Sequence, residues 1–450
     1  MRIPTALTLV ALCMGALSTP AQAQFFIKCR SASPSELKRN IHAHEEHMYR
    51  LQKKLITGFY YQGKLPSHLK HVGLAGVRKR LSELTDRKPA VLFYAYDGHS
   101  ERLCVWLISA TGADVSAAVR LGNVDMLRGL RPELIAALGV TTRSLPVPRS
   151  EMSKEAFERK MAAANQELEK LAAGNSLARL SETLLPDKIV EEIDREKIDT
   201  LIVMPVFDLG VVPFAALPIS KGRNLIDAVS IVVAPGFFVF QEARLKAQRD
   251  FAGALVVGNP YAQDPGWHLA ALPGAEAEAK QVAVLASVEP LIGPRATKSA
   301  ILARLRKSPA PPLIFIAAHG IADDVNPLDG GFLVLSDGRW TGRDIVRRVP
   351  PGLGRPLVVL SACQTGLGKD FEVGTIGIAR AWYEAGASNV VMSLWLVGDR
   401  STQLLLTRFI EFARSAPPDK ALRSAMLEAR ARDPRVAAWA SFAVFGAPEQ

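Results

Sequence analysis

The chain has 450 residues, enough for two or three domains and a sizeable core. Its formal net charge of +11 is spread in short runs such as "RKR" and "RRV". That pattern reads as a solvated basic surface, and nucleic acid is set aside as a partner. After the first two dozen residues no stretch stays apolar for 18 residues or more, which excludes a membrane-spanning helix there.

The N-terminus reads "MRIPTALTLVALCMGALSTPAQAQ". Arg2, an apolar run from Ala6 to Leu17 and Ala21-Gln22-Ala23 have the layout of a secretory signal peptide with an A-x-A cleavage site. The apolar run is short for a membrane span, although an uncleaved anchor is the competing reading. A lipoprotein is disfavoured because Leu12 precedes Cys13 where that signal needs a small residue. The expected mature chain begins near Gln24, carries a charge of +10 once Arg2 leaves, and faces an oxidising periplasmic or extracellular space. Of four cysteines, Cys13 leaves with the signal, so Cys29, Cys104 and Cys363 remain. A Cys29–Cys104 bridge would leave Cys363 as the free thiol, but sequence alone does not fix the connectivity.

Residues 34 to 58 form an amphipathic helix pattern with Ser33 as N-cap, Pro34 at the first position and Gly58 at the end. His42, His44 and His47 lie in its middle. No cysteine completes a metal set, so the trio reads as a solvated face and no metal or cofactor is expected. Runs at 90–98 and 102–112 alternate aromatic and β-branched residues around "DGHSE" and predict a hairpin. A Pro-rich linker, "SLPVPRS", precedes a helix pattern over 151–172. No solenoid-type repeat is present. The expected organisation is therefore a signal at 1–23, an α+β region at 24–172 and a larger domain at 173–447.

From about residue 200 the texture changes. The runs "TLIVMPV", "ALVVGNP", "PLIFIAAHG", "PLVVLSACQ" and "NVVMSLW" are continuously apolar, as strands buried on both faces are. Helix patterns fall between several of them, which predicts a mainly parallel sheet flanked by helices. "GGFLVLSDGRW" reads as a small inserted hairpin turning at Asp337-Gly338.

Two strands end in reactive residues. "LIFIAA" runs into His319-Gly320, and "LVVLSA" runs into Cys363, 44 residues later. Ligands in open α/β sheets bind outside the carboxyl ends of the strands. A thiolate is the competent nucleophile, and a histidine within reach takes its proton and returns it to the leaving amine. The backbone N–H groups of Gly320 and Cys363 are candidates for the oxyanion hole. Gly366 and Gly368 let the loop turn away from the thiol. "GLGKD" is not a phosphate loop, because Asp370 stands where Ser or Thr is required.

"AAHG", "SACQTGLG", the block "GTIGIARAWYEAGASNVVMSLWLVGD" and "WASFAVFG" resemble, in order, the CHAT peptidase family, which groups with caspases, separases and gingipains. "LIVMPVFDLGVVPFAAL", "VVAPGFFVF", "ALVVGNP" and "LPGAEAEAKQVAVL" resemble its earlier blocks. The resemblance covers about 175 to 447 and implies a caspase-like α/β fold and peptide-bond cleavage. It assigns His319 as general base and Cys363 as nucleophile. Asp399, in "LWLVGD", resembles the acidic residue lining the pocket before the cut bond, which implies a preference for Arg or Lys. The competing reading makes Asp399 the cap of a helix starting near Ser401. Leu396 departs from the proline found there in many members. No residue orienting His319 is identified; Asp323 and Asp324 are merely close in sequence.

The expectation is an exported cysteine endopeptidase acting on protein or peptide, with room for a regulatory protein. The rival is a catalytically silent module that keeps the fold for binding or signalling. An acyltransferase using the same dyad has no sequence feature of its own.

Overall fold

Strands that are apolar on both faces must be covered on both faces, and this chain builds one broad sheet to do so. The computed structural model describes residues 29–57, 71–111, 114–121, 147–148, 176–241, 250–261, 267–269, 271–323, 326–362, 368–371, 374–395 and 399–449. The segment read from sequence as a signal, residues 1–23, and the helix pattern at 151–172 lie outside them.

In chain order the main-sheet strands are β1 (Pro89–Asp97), β2 (Arg102–Ser109), β3 (Val115–Arg120), β4 (Thr200–Met204), β5 (Ser230–Val233) and β6 (Leu255–Pro260). They continue as β7 (Leu291–Gly293), β8 (Leu313–Ala317), β9 (Leu357–Ser361), β10 (Asn389–Ser393) and β11 (Phe442–Gly446). Their spatial order is β7-β6-β8-β9-β10-β11-β5-β4-β1-β2-β3. Strands β7, β6, β8, β9 and β10 are mutually parallel. Direction reverses at β10/β11, and β11, β5, β4 and β1 then run together. The hairpin expected around residue 98 is the antiparallel pair β1/β2, with β3 added at the edge. All five residues of each of β4, β8, β9 and β10 are buried, which explains their continuous apolar sequence.

The flanking helices are α1 (Pro34–Thr57), α2 (Gly73–Ser82), α3 (Ser176–Leu184), α4 (Asp187–Glu196), α5 (Pro273–Leu285) and α6 (Lys298–Leu305). Next come α7 (Gly342–Arg348), α8 (Ile378–Glu384), α9 (Asp399–Ala413) and α10 (Pro418–Arg432). Helix α1 starts as predicted: Ser33 Oγ accepts from Glu36 N at 3.3 Å, and Glu36 Oε2 accepts from Ser33 N at 2.9 Å. The carboxyl of Glu36 sits at about 2: burial pushes it up, but three backbone N–H groups and the Ser31 hydroxyl outweigh that. Helix α8 is shorter than "GTIGIARAWYEAGA" suggests. Gly374–Gly377 pairs instead with Gly368–Phe371 as a two-stranded ribbon, since glycine and threonine are weak helix formers. The inserted hairpin is present as Phe332–Leu335 and Gly338–Thr341. Trp340 at its end packs edge-on against Trp382 of α8, with ring centroids 5.3 Å apart.

Strand pairing and a buried ion pair help tie the N-terminal elements to the rest. Strand β1 pairs β4 through five residues. Arg87 Nη1, just before β1, donates to Asp419 of α10 at 3.1 Å with both side chains buried, and Ser230 Oγ donates to the same carboxylate at 2.6 Å. Cys29 and Cys104 form a disulfide that anchors the segment before α1 to β2. Among the described residues no helix is long and apolar enough to cross a membrane.

Candidate active site

Register decides what meets at the ends of β8 and β9. The two strands pair in parallel from Leu313↔Leu357 to Ala317↔Ser361, and Ala318 N donates to Ser361 O at 3.2 Å. Two residues further along each chain stand His319 and Cys363. His319 is 4% exposed and opens a short strand, His319–Ile321, that pairs with the inserted hairpin opposite Val334. Gly320 lies in the same strand, opposite Leu333. Cys363 and Gly366 lie outside the described residues, as do Asp324 and the side chain of Asp399.

The chain leading to Cys363 is fixed from both sides. Ser361 Oγ donates to Glu278 Oε2 at 2.7 Å, and both residues are buried. Ser393, the last residue of β10, donates its hydroxyl to Ala362 O at 2.6 Å. Glu278 comes from α5, which lies so close to β6 that a Cβ on Gly258 would stand 2.4 Å from the Ala279 Cβ. Sequence reasoning missed Glu278, Ser361 and Ser393. Glu278 did leave a signal. It occupies a core position of the helix pattern with Ala275, Ala279 and Val282, where an apolar residue belongs. A buried carboxylate persists there only with partners, and Ser361 is one.

Beyond β10, Leu394 N donates to Ser441 O at 2.9 Å, and the Trp395 ring is buried. Asp399 is the first residue of α9, so that helix starts two residues earlier than expected. Asp323 supports its own loop: its carboxylate accepts from Asn326 N at 2.7 Å and lies under Gly330. "GLGKD" continues into a paired strand at Gly368–Phe371 rather than opening a helix, as a phosphate loop would.

The histidines of α1 do not share a solvated face. His44 is buried edge-on against Phe93 and Phe237, at 5.7 and 5.2 Å between ring centroids. Burial, with smaller contributions from the His47 and Arg380 charges, lowers its pKa to about 3, so it is neutral at physiological pH. A cavity of about 30 Å³ lies under α10, lined by Phe214, Ile226, Leu394, Met426 and Phe442. It holds little more than one water, and Asp419 on its wall is already engaged by Arg87 and Ser230.

The sequence pattern of the CHAT domain matches residues 174–447, well over half of the chain. The protein belongs to the CHAT domain family. No curated protein sequence matches it. Among solved structures, the CHAT protein is similar to separase in the Saccharomyces cerevisiae separase–securin complex, with 10% identity and a TM-score of 0.56. That match covers 92% of this chain but 34% of the separase chain, so the protein spans about a third of that relative. It also matches the Arg-specific cysteine proteinase gingipain R at 11% identity and a TM-score of 0.42, over 59% of this chain and 68% of that one. A complex of the Porphyromonas gingivalis RgpB pro- and mature domains matches at 11% identity and a TM-score of 0.40, over 63% and 71% of the two chains. The CHAT domain here has the caspase-like α/β fold: a broad, mostly parallel sheet between helices, preceded by a smaller α+β region.

Proposed function

We propose that this CHAT protein is an exported cysteine endopeptidase in which Cys363 attacks the scissile carbonyl and His319 carries the proton. The observation that supports it is the β8/β9 register, which ends the two strands at matching levels two residues before His319 and Cys363. His319 removes the thiol proton as the Cys363 sulfur bonds to the carbonyl carbon, and returns it to the amine as the C–N bond breaks. Water then hydrolyses the acyl-enzyme. Backbone N–H groups of Gly320 and Cys363 receive the oxyanion. Asp399 selects Arg or Lys by charge pairing before the cut bond. No cofactor enters this chemistry.

Cysteine arithmetic supports a free nucleophile. Cys13 belongs to the leader and Cys29 is bonded to Cys104, which leaves Cys363 without an intrachain cysteine partner in the mature chain. The same disulfide supports export, because such bonds persist in oxidising compartments. Separase is recorded with securin, and by analogy a regulatory protein is proposed here too.

The test is a fluorogenic peptide library with the mature protein under mild reduction, beside Cys363→Ala and His319→Ala. Cleavage after Arg or Lys that both variants lose supports the whole reading. Cleavage after other residues retains the dyad and removes Asp399 from the pocket. A thiol that neither cleaves peptide nor reacts with a peptidyl electrophile, with or without candidate regulators, points to a silent binding module.

A further inference from the structure

We propose that His42, Glu45 and His71 form a zinc-class divalent metal site that staples helix α1 to the start of helix α2. Residues three apart on a helix share a face, so His42 and Glu45 project together from α1. His71 comes from the segment immediately before α2, and its ring lies beside that of His42 with centroids 4.7 Å apart. One donor atom from each of the three lies within 4.8 Å of the others. A tetrahedral zinc site with bonds of about 2.0–2.1 Å places its donors roughly 3.3 Å apart. The pair His71 Nδ1 and Glu45 Oε2 already stands at 3.3 Å. His42 and His71 are exposed, so small side-chain rotations close the rest of the set.

Two outer contacts prepare the donors. Glu45 Oε1 accepts from the backbone N–H groups of Val72 and Gly73, at 2.6 and 3.1 Å, which holds the carboxylate and turns Oε2 toward His71. Glu46 Oε1 stands 2.9 Å from His71 Nε2. A carboxylate on the far ring nitrogen fixes the tautomer whose Nδ1 lone pair faces the metal, the usual arrangement around metal-bound histidine. Arg50 reaches Glu46 at 3.9 Å and leaves Glu45 as the carboxylate ligand. Two imidazoles and one carboxylate suit zinc, copper or nickel rather than the all-oxygen preference of calcium and magnesium. Three protein ligands leave the fourth position to water. His44, on the buried side of the same helix, takes no part.

A simpler arrangement uses the same atoms: a protonated His71 clamped between Glu45 and Glu46. His42 separates the two, since it ligates the metal but contributes nothing to that clamp. The experiment is a zinc titration of tag-free, chelator-stripped mature protein against a chromophoric zinc indicator. His42→Ala, His71→Ala and the control His99→Ala are run in parallel. The expected result is one equivalent of zinc, weakened at least about tenfold by each of the first two substitutions and unchanged by the third. Calcium and magnesium should not compete, and zinc should raise the melting temperature of the parent but not of His42→Ala. Cobalt(II) in place of zinc should give visible absorption of tetrahedral intensity that His42→Ala loses. No saturable zinc uptake, or uptake that His42→Ala leaves intact, overturns the proposal.

Discussion

Acidification below about pH 6.5 should destabilise this protein through His44. The unfolded chain binds a proton at His44 near 6.5, whereas the folded chain binds it only at about 3. Between these values the unfolded state holds more protons, so stability rises with pH. The contribution is fully present above about 6.5 and is lost as pH falls through that window. At pH 5 the gap is about 1.5 pH units, and at 1.36 kcal/mol per unit the loss is about 2 kcal/mol. The groups that set the shift are the Phe93 and Phe237 rings, with His47 and Arg380 as charges of like sign. The assay is urea unfolding at pH 7.5, 6.0 and 5.0, for the parent and for His44→Leu. The parent should lose about 2 kcal/mol more than the variant between the outer two values. His47 titrates in both proteins and Glu36 only at much lower pH, so their effects largely cancel in the comparison. Equal pH dependence would show that the His44 ring is not held neutral by its aromatic cage.

Further predictions follow from other contacts. Replacing Cys29 and Cys104 by serine opens a loop of 75 residues' separation and should cost about 4 kcal/mol, read as a lowered denaturation midpoint. Without reductant, iodoacetamide should label Cys363 alone; labelling of Cys104 would contradict the bridge. Arg87→Leu leaves the buried Asp419 charge without its arginine and should cost about 3–5 kcal/mol, while the added substitution Asp419→Leu should recover part of it. A double variant no better than the single one would deny the coupling. If the peptidase reading holds, Ser393→Ala frees the Ala362 carbonyl and should lower kcat roughly tenfold with KM little changed. A loss carried by KM instead would assign Ser393 to substrate binding.

Much of the sheet was legible because both-face burial writes itself as continuous apolar runs, and β4, β6, β8, β9 and β10 all fall on such runs. The same property hides register. A strand with no polar face offers no alternation to align, so the match of Ala317 with Ser361 had to come from the structure. The reversal between β10 and β11 was hidden for the same reason. The fate of His44 was illegible too: a histidine in a helix rich in Glu, Lys and Arg looks solvated until Phe93 of β1 and Phe237 of a distant helical turn close over it. Glu278 was detectable as a charge in a core position, but Ser361 as its partner was not.

Strand β4 begins 26 residues inside the family boundary, yet its neighbour β1 belongs to the segment before that boundary. The homology border is therefore not a seam in the material. A fragment cut at residue 174 would carry Thr200–Met204 as a bare sheet margin of five normally buried residues, with its hydrogen-bonding groups open to any passing strand. It would also strand the Asp419 charge inside the molecule. Such a fragment should precipitate or pair edge to edge, and recombination that moves this CHAT domain between proteins must carry β1 along or supply a substitute strand.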